Sequence, residues 1–284
     1  MSVIDLIRVA VLLSIALIVI GFALLSSWRD ATSLFRQPSL LLRSLLAMNV
    51  IVPLFAIFLV RFFTLRPALE IVLICIAVSP VPPFLPQKQL KVAGRHEYIY
   101  GLLGASSLLS IVLVPLTIAL LGAAFSRAVH VSPLAVTRVV AFTVLIPFAI
   151  GLLVHHLKPD LAVRLSGPLN KIGMGLLLVA LVPVLIKMWP GVVSLIGDGT
   201  LVAIIAFVAV GLAAGHLLGG PESSTRSVLA LAAATRHPGV ALIIATANFP
   251  DEKQLVLPAL LLYLVVCAIV SVPYVMWRKR QRAA

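Results

Sequence analysis

Two short clusters in this chain set helix-breaking and hydrogen-bonding residues inside stretches that are otherwise apolar. The first is Ser79-Pro80-Val81-Pro82-Pro83, followed by Phe84-Leu85-Pro86. The second is Thr235-Arg236-His237-Pro238-Gly239, between Leu229-Ala230-Leu231 and Val240-Ala241-Leu242. Bond-breaking chemistry would need a convergent nucleophile, an acid pair or a metal cluster. The sequence has no H-E-x-x-H, Ser/His/Asp or Gly-x-Gly-Asp pattern, and Gly197-Asp198-Gly199 reads as a short loop. What these clusters can do is bind. Proline removes a backbone donor and clashes with the preceding turn, which frees carbonyls and amides. Arg236 adds a fixed cation and His237 an imidazole able to titrate near neutrality. The candidate substrate-binding residues are therefore Ser79, Pro82, Pro83, Thr235, Arg236, His237, Pro238 and Gly239, with Asn49 of a neighbouring apolar segment.

The elements that hold these clusters are membrane helices. Of 284 residues, 62% are hydrophobic and 11% charged, with a mean hydropathy of +1.18, more apolar surface than a water-soluble fold of this size can hide. Apolar runs of about twenty residues, the length that crosses a hydrocarbon core, follow one another with short polar breaks. The expected helices are 3–25, 39–62, 67–92, 96–124, 134–156, 168–195, 200–219, 225–248 and 255–277, nine in all. The first is too long for a signal peptide and lacks a small-residue cleavage site. Cys75 and Cys267 fall inside apolar runs and supply neither a disulfide framework nor a metal site. The net charge of +13 lies in clusters between the runs, with no basic groove for nucleic acid.

Those clusters set an orientation, because cytoplasmic loops retain Lys and Arg. Alternate loops carry fourteen basic residues on one side (Arg29, Arg36, Arg43, Lys88, Lys91, Arg95, Lys158, Arg164, Lys171, Arg226, Arg278, Lys279, Arg280, Arg282) and four on the other (Arg61, Arg66, Arg127, Lys253). The C-terminus is expected in the cytoplasm and, with nine helices, the N-terminus outside. Arg8, Arg138, Lys187 and Arg236 fall within or at the edges of helices.

The two clusters interrupt the third and eighth helices, which cross in opposite senses, each followed by one helix. That placement predicts a single transmembrane domain over 1–284 with inverted repeats, about 1–125 and about 133–284, and two broken helices meeting at a midplane site, as many secondary carriers build one. The bland alternative is a kink in a packed helix, the reading given to Pro53, Pro115, Pro147 and Pro183. For other polar residues the bland reading is preferred: interhelical hydrogen bonding for Asn49, an interfacial place for His155 and His156, solvation for Glu70 and Asp198, snorkelling for Lys187, and a satisfied imidazole for His216.

Trp28-Arg29-Asp30-Ala31-Thr32-Ser33-Leu34-Phe35-Arg36-Gln37-Pro38, Asn49-Val50-Ile51-Val52-Pro53-Leu54-Phe55-Ala56, Ser79-Pro80 followed by Gly94, and Arg236-His237-Pro238-Gly239-Val240-Ala241-Leu242 together resemble, in order and spacing, the bile acid:sodium symporter family and its bacterial relatives. The resemblance implies a panel and a core, two broken helices that cross in the core, a multi-pass protein of the bacterial inner membrane, a small organic anion as substrate, and sodium as coupling ion. This chain looks like the family's nine-helix form. It departs at the family's sodium ligands. The acidic position is Ala232, the Gln-Asn pair is Arg236-His237, the first polar pair is Leu85-Pro86, and two hydroxyl positions are Ile99 and Leu103. Sodium favours several oxygen ligands, so these residues speak against it and for an anionic substrate or proton linkage through His237.

The fold class expected is thus an all-α integral membrane protein of about nine helices with inverted repeats and two broken crossover helices. The function expected is secondary transport of a small, bile-acid-like or carboxylate anion, without enzymatic activity, metal or bound cofactor and with the lipid bilayer as surroundings. A non-transporting membrane receptor and a membrane-embedded enzyme are the alternatives; the first would favour a sizeable soluble domain, and the second a convergent catalytic cluster.

Overall fold

A computed structural model describes residues 3–90, 96–124 and 131–283. Lys91, Gly94, Arg95 and Arg127, invoked above, lie outside them, as does the side chain of Arg282. The described residues are helical with short connections and contain no strand. Besides short helical turns at Trp28–Ala31, Ser33–Arg36 and Pro250–Glu252, the helices in chain order are α1 (Val3–Ala23), α2 (Pro38–Phe62), α3 (Pro67–Val78), α4 (Leu85–Leu90), α5 (His96–Ala124), α6 (Pro133–Leu157), α7 (Pro159–Ser194), α8 (Thr200–Leu218), α9 (Ser223–Ala234), α10 (Pro238–Asn248) and α11 (Lys253–Ala283). Eight helical stretches are long and apolar enough to cross a membrane, α9 and α10 counting together as one, and α3 is a shorter apolar helix. Large apolar side chains such as Ile172, Val179 and Ile186 stand exposed along α7, as a lipid-facing surface requires and a water-facing one of this extent does not.

The third and eighth expected helices are discontinuous. Ser79 to Phe84 separates α3 from α4, and Thr235 to His237 separates α9 from α10. Prolines explain where each second half begins. Pro86 sits in the first turn of α4, and Pro238 is the first residue of α10, a position where a missing N–H costs nothing.

One boundary differs substantially from the sequence reading. The sixth helix begins at Pro159, not 168, and runs through Ser166-Gly167-Pro168. An interior proline forfeits one ladder hydrogen bond, but close packing on α1 holds the helix together. Gly173 lies against Ser14 and Ile18, and Asn170 against Gly21, at approaches that leave no room for a Cβ. The last helix also continues through the basic tail to Ala283.

Prolines act differently in α2 and α6. Each carries a π-helical segment just before one, Leu46–Ile51 before Pro53 and Ala141–Leu145 before Pro147. In this wider register Val52 N–H donates to Ala47 O, and Ile146 N–H to Ala141 O. The next carbonyl, Met48 O, would then need the N–H of Pro53, which does not exist. The sequence reading treated these prolines as kinks; in α2 the consequence is that Met48 O, in the apolar interior, is left without a partner from its own helix.

α1 packs on α6 and α7, and α2, α3, α8, α9, α10 and α11 pack on one another; α7 also packs on α11, and α6 on α5 and α10. α8 and α9 approach closely: a Cβ on Gly215 would stand 2.5 Å from the Ala230 backbone and one on Gly211 2.8 Å from Ala234. The glycines on α8 thereby bring the first half of the second broken helix into backbone contact.

Candidate functional site

The two breaks meet. The backbone N–H of His237 donates to the carbonyl of Pro80 at 2.8 Å, so the second interruption is hydrogen-bonded directly to the first. Gln89 Nε2 of α4 also donates to Val228 O of α9 at 2.8 Å.

A helix that stops leaves its last carbonyls without partners, and at this junction side chains take them up. At the end of α3, Ser79 Oγ donates to Cys75 O at 2.7 Å, and Ser79 N–H to Ile76 O. Ala77 O receives Arg236 Nη2 at 2.9 Å. The same nitrogen donates to Met48 O at 3.1 Å, the carbonyl freed by Pro53. At the end of α9, Tyr263 Oη donates to Ala234 O at 2.7 Å, and Thr235 Oγ1 lies 3.5 Å from Cys267 Sγ.

Arg236 is completely buried. It lies two residues beyond the C-terminus of α9 and bonds the last turn of α3, so its charge stands at the negative ends of two half-helix dipoles. Its one bonded nitrogen contacts backbone carbonyls and no carboxylate. Its Nε and Nη1 atoms have no hydrogen-bond partner among the described residues. Burying a charge this deep is costly, and two carbonyls satisfy only part of a guanidinium's five donors.

His237 is the N-cap of α10. Its Nδ1 accepts from Gly239 N–H at 3.2 Å and Val240 N–H at 3.4 Å. Nδ1 is therefore the bare nitrogen and Nε2 carries the hydrogen, a tautomer assigned from the network. Nε2–H donates to Thr143 Oγ1 at 3.2 Å, while the Thr143 hydroxyl donates to Val139 O at 2.6 Å. Thr143 lies in the π segment of α6, so this bond ties α6 to the start of α10. A ring protonated on both nitrogens would point N–H at N–H; this arrangement uses a neutral one.

Of the residues read as binding candidates, the structure gathers Ser79, Arg236 and His237 into one hydrogen-bonded junction, with Thr235, Pro238 and Gly239 adjoining it. Pro82 and Pro83 are buried within the first break and shape it without a side-chain polar contact. Asn49 is half-buried beside Met48. The sequence reading missed Met48, Ala77, Pro80, Thr143 and Tyr263, three of which contribute only a backbone carbonyl. Pro53 and Pro147 were the available signals for Met48 and Thr143.

At the junction the carbonyls of Cys75, Ala77, Pro80 and Ala234 are bonded to Ser79, Arg236, His237 and Tyr263, and a guanidinium stands among them. Among the described residues no three His, Cys, Asp or Glu gather as a metal group. Elsewhere the His155 ring donates to Leu24 O at 2.8 Å, and His216 contacts Tyr274 Oη at 2.9 Å; an interfacial place was expected of the first and a satisfied imidazole of the second.

Comparison with curated proteins returns no match. The profile of the sodium bile acid symporter family matches residues 12–195, which takes in the second half of α1, α2 to α7 and the first break. With that match over more than half of its length, in an all-helical chain rich in membrane-length helices, the chain belongs to the sodium bile acid symporter family, a family of transporters.

Proposed function

We propose that this protein is a secondary carrier of a small organic anion in which Arg236 supplies, as a fixed charge, what a mobile sodium ion supplies elsewhere in the family. The chain crosses the membrane nine times, each interrupted pair making one crossing, with the N-terminus outside and the C-terminal tail in the cytoplasm, on the fourteen-to-four distribution of basic residues. The observation that carries the reading is the state of the Arg236 guanidinium. One nitrogen caps the carbonyls of Ala77 and Met48, while Nε and Nη1 have no partner. Anionic oxygens are the acceptors best matched to such donors in an apolar setting. In the conformation described here the group is sealed, so loading requires the crossover to part from its surroundings, and the Thr143 to His237 bond is a contact that parts with it.

The test is uptake of an organic anion such as taurocholate or pantoate by purified protein in liposomes, for wild type, Arg236→Lys and Arg236→Gln, each with sodium or an inert replacement cation. The reading expects wild-type uptake without sodium, a large loss in Arg236→Gln, and only partial function in Arg236→Lys, because an ammonium lacks the planar fork. Strict sodium dependence in wild type, or unimpaired anion uptake by Arg236→Gln, removes it.

A further inference from the structure

α5 meets α1 and α6 through three aromatic rings. Phe22 of α1 lies 5.8 Å from Tyr100 of α5 and nearly parallel to it, at 13°, while Phe148 of α6 stands 6.1 Å from Phe22 and 6.3 Å from Tyr100. All three are buried. A helix rises about 1.5 Å per residue, so Phe148 sits roughly 7 Å further along α6 than Thr143, the residue bonded to His237 at the crossover. That is toward the Leu157 end of α6, the side that the basic residues assign to the cytoplasm. His96, exposed at the start of α5, meets the Tyr100 ring edge-on at 6.1 Å, so the cluster lies about one turn beneath that surface.

Two hydroxyls are shut in by this contact. Tyr100 Oη and Ser107 Oγ are buried without a hydrogen-bond partner among the described residues. Their spacing puts them on one face of α5, the face on which a Cβ at Gly104 would touch Phe148. Asp30 acts on Tyr100 electrostatically, but its Oδ2 accepts from Ser27 N–H and Oγ. A hydroxyl buried without a partner forfeits the bonds that water would give it. It therefore opposes the closed contact that the ring pairs favour.

The two sides of the contact are also attached differently along the chain. The end of α1 is tied to α6: the His155 ring donates to Leu24 O at 2.8 Å, and a Cβ on Gly151 would stand 2.5 Å from Ala23 Cβ. The connector that follows is tied to α5 instead. Ser33 Oγ donates to Glu97 O at 2.8 Å, and a Cβ on Gly101 would stand 2.5 Å from Ser33 Oγ. Leu25 and Ser26 form the joint between these attachments.

We propose that Phe22, Tyr100 and Phe148 are the cytoplasmic gate of the carrier and that the Tyr100 hydroxyl poises it to open. Shut, the rings pack and the hydroxyl goes without a partner. Open, α5 parts from α1 and α6 about the Leu25-Ser26 joint, the ring contacts are given up, and water reaches Tyr100 and Ser107. This inference rests on the transport reading.

The experiment places a single reactive thiol behind the gate. Ser107→Cys, in a full-length Cys75→Ala/Cys267→Ser background, sits about 10 Å deeper along α5 than Tyr100, and is labelled with a membrane-impermeant sulfonated maleimide from either side of membrane vesicles. Labelling is expected from the side of the C-terminal tail, at a rate set by gate opening. Tyr100→Phe removes the unpartnered hydroxyl and should slow both labelling and taurocholate uptake by about fivefold or more, the lower end of the cost of such a group, while raising the melting temperature. Phe148→Leu keeps an apolar filler without the ring and should speed labelling severalfold, the worth of an aromatic pair. The proposal fails if Tyr100→Phe lowers the melting temperature or leaves labelling unchanged, if Phe148→Leu does not speed it, or if the thiol reacts only from the opposite side. Arg236→Gln should still label at Ser107→Cys from the tail side. Labelling thus judges the gate, and anion uptake by Arg236→Gln judges the carrier reading, so the two failures are told apart.

Discussion

Arg236 Nη2 donates to Ala77 O at 2.9 Å, so a side chain just beyond one half-helix completes the end of the other. Two opposed terms decide what this is worth to the fold. A charged group's hydrogen bonds each contribute about 1.5–3 kcal/mol, while a charge at bilayer depth costs at least about 2.5 kcal/mol. These largely offset one another. Arg236→Gln is therefore expected to shift stability by no more than about 2 kcal/mol, read as a small change in thermal unfolding in detergent, while anion uptake falls steeply. A collapse of folding in the glutamine variant would mean that the guanidinium acts mainly as a structural cap.

His237 invites the opposite expectation. Its ring caps α10 through Nδ1 and reaches Thr143 through Nε2, so its removal uncaps a buried helix. His237→Ala should lower stability by about 1–2 kcal/mol for the lost cap, with more for any group left unsatisfied. Asparagine is a good N-cap residue and should recover the cap portion but not the Thr143 contact. Equal melting temperatures for His237→Ala and His237→Asn would show that capping is not what the ring provides.

Gly215 lies where α8 meets α9, with the Ala230 backbone 2.5 Å from any added Cβ. Because backbone cannot give way as a flexible side chain does, even Gly215→Ala forces the helices apart, at about 1–3 kcal/mol by the usual cost of overpacking. Gly175, with nothing within 4 Å of its Cβ position, is the control. Thermal unfolding should separate the two alanine variants clearly; matching values would contradict the packing.

Much of this was legible in the sequence, for identifiable reasons. Interrupted helices announce themselves because Pro80, Pro82, Pro83 and Pro238 are chemically unambiguous, and a buried Arg236 is conspicuous in an apolar run. The start of α7 was misplaced because Pro168 carries the same signal, and only packing on α1, through Gly173 and Asn170, reveals that the helix runs through it. The partners of Arg236 were illegible for a deeper reason. Ala77 and Met48 act through backbone oxygens, which every residue possesses, so side-chain identity cannot mark them. What could be read was Pro53, provided its lost N–H is followed to the carbonyl it would have satisfied.

That connection gives the most specific prediction. Val52 N–H donates to Ala47 O in the π register, and Pro53 has no N–H for Met48 O, so Met48 O turns to Arg236. In Pro53→Ala the new N–H can satisfy Met48 O in the same register, or the segment can return to an α-helix in which Val52 N–H does so. Either way the guanidinium loses an acceptor. Replacing an interior proline should by itself favour the helix, by up to about 3 kcal/mol, but here part of that gain is offset by the bond taken from Arg236. In an Arg236→Gln background there is no such bond to lose, and the proline replacement should be more stabilising than in wild type. The check is a double-mutant cycle on unfolding free energy for the four proteins. A coupling above about 0.5 kcal/mol with that sign supports the link, and additivity within that margin means that the Pro53 bulge does not serve Arg236. Anion uptake by Pro53→Ala, measured alongside, should fall although the protein is no less stable, because the π segment is then a device for presenting a carbonyl to the crossover and not a defect tolerated there.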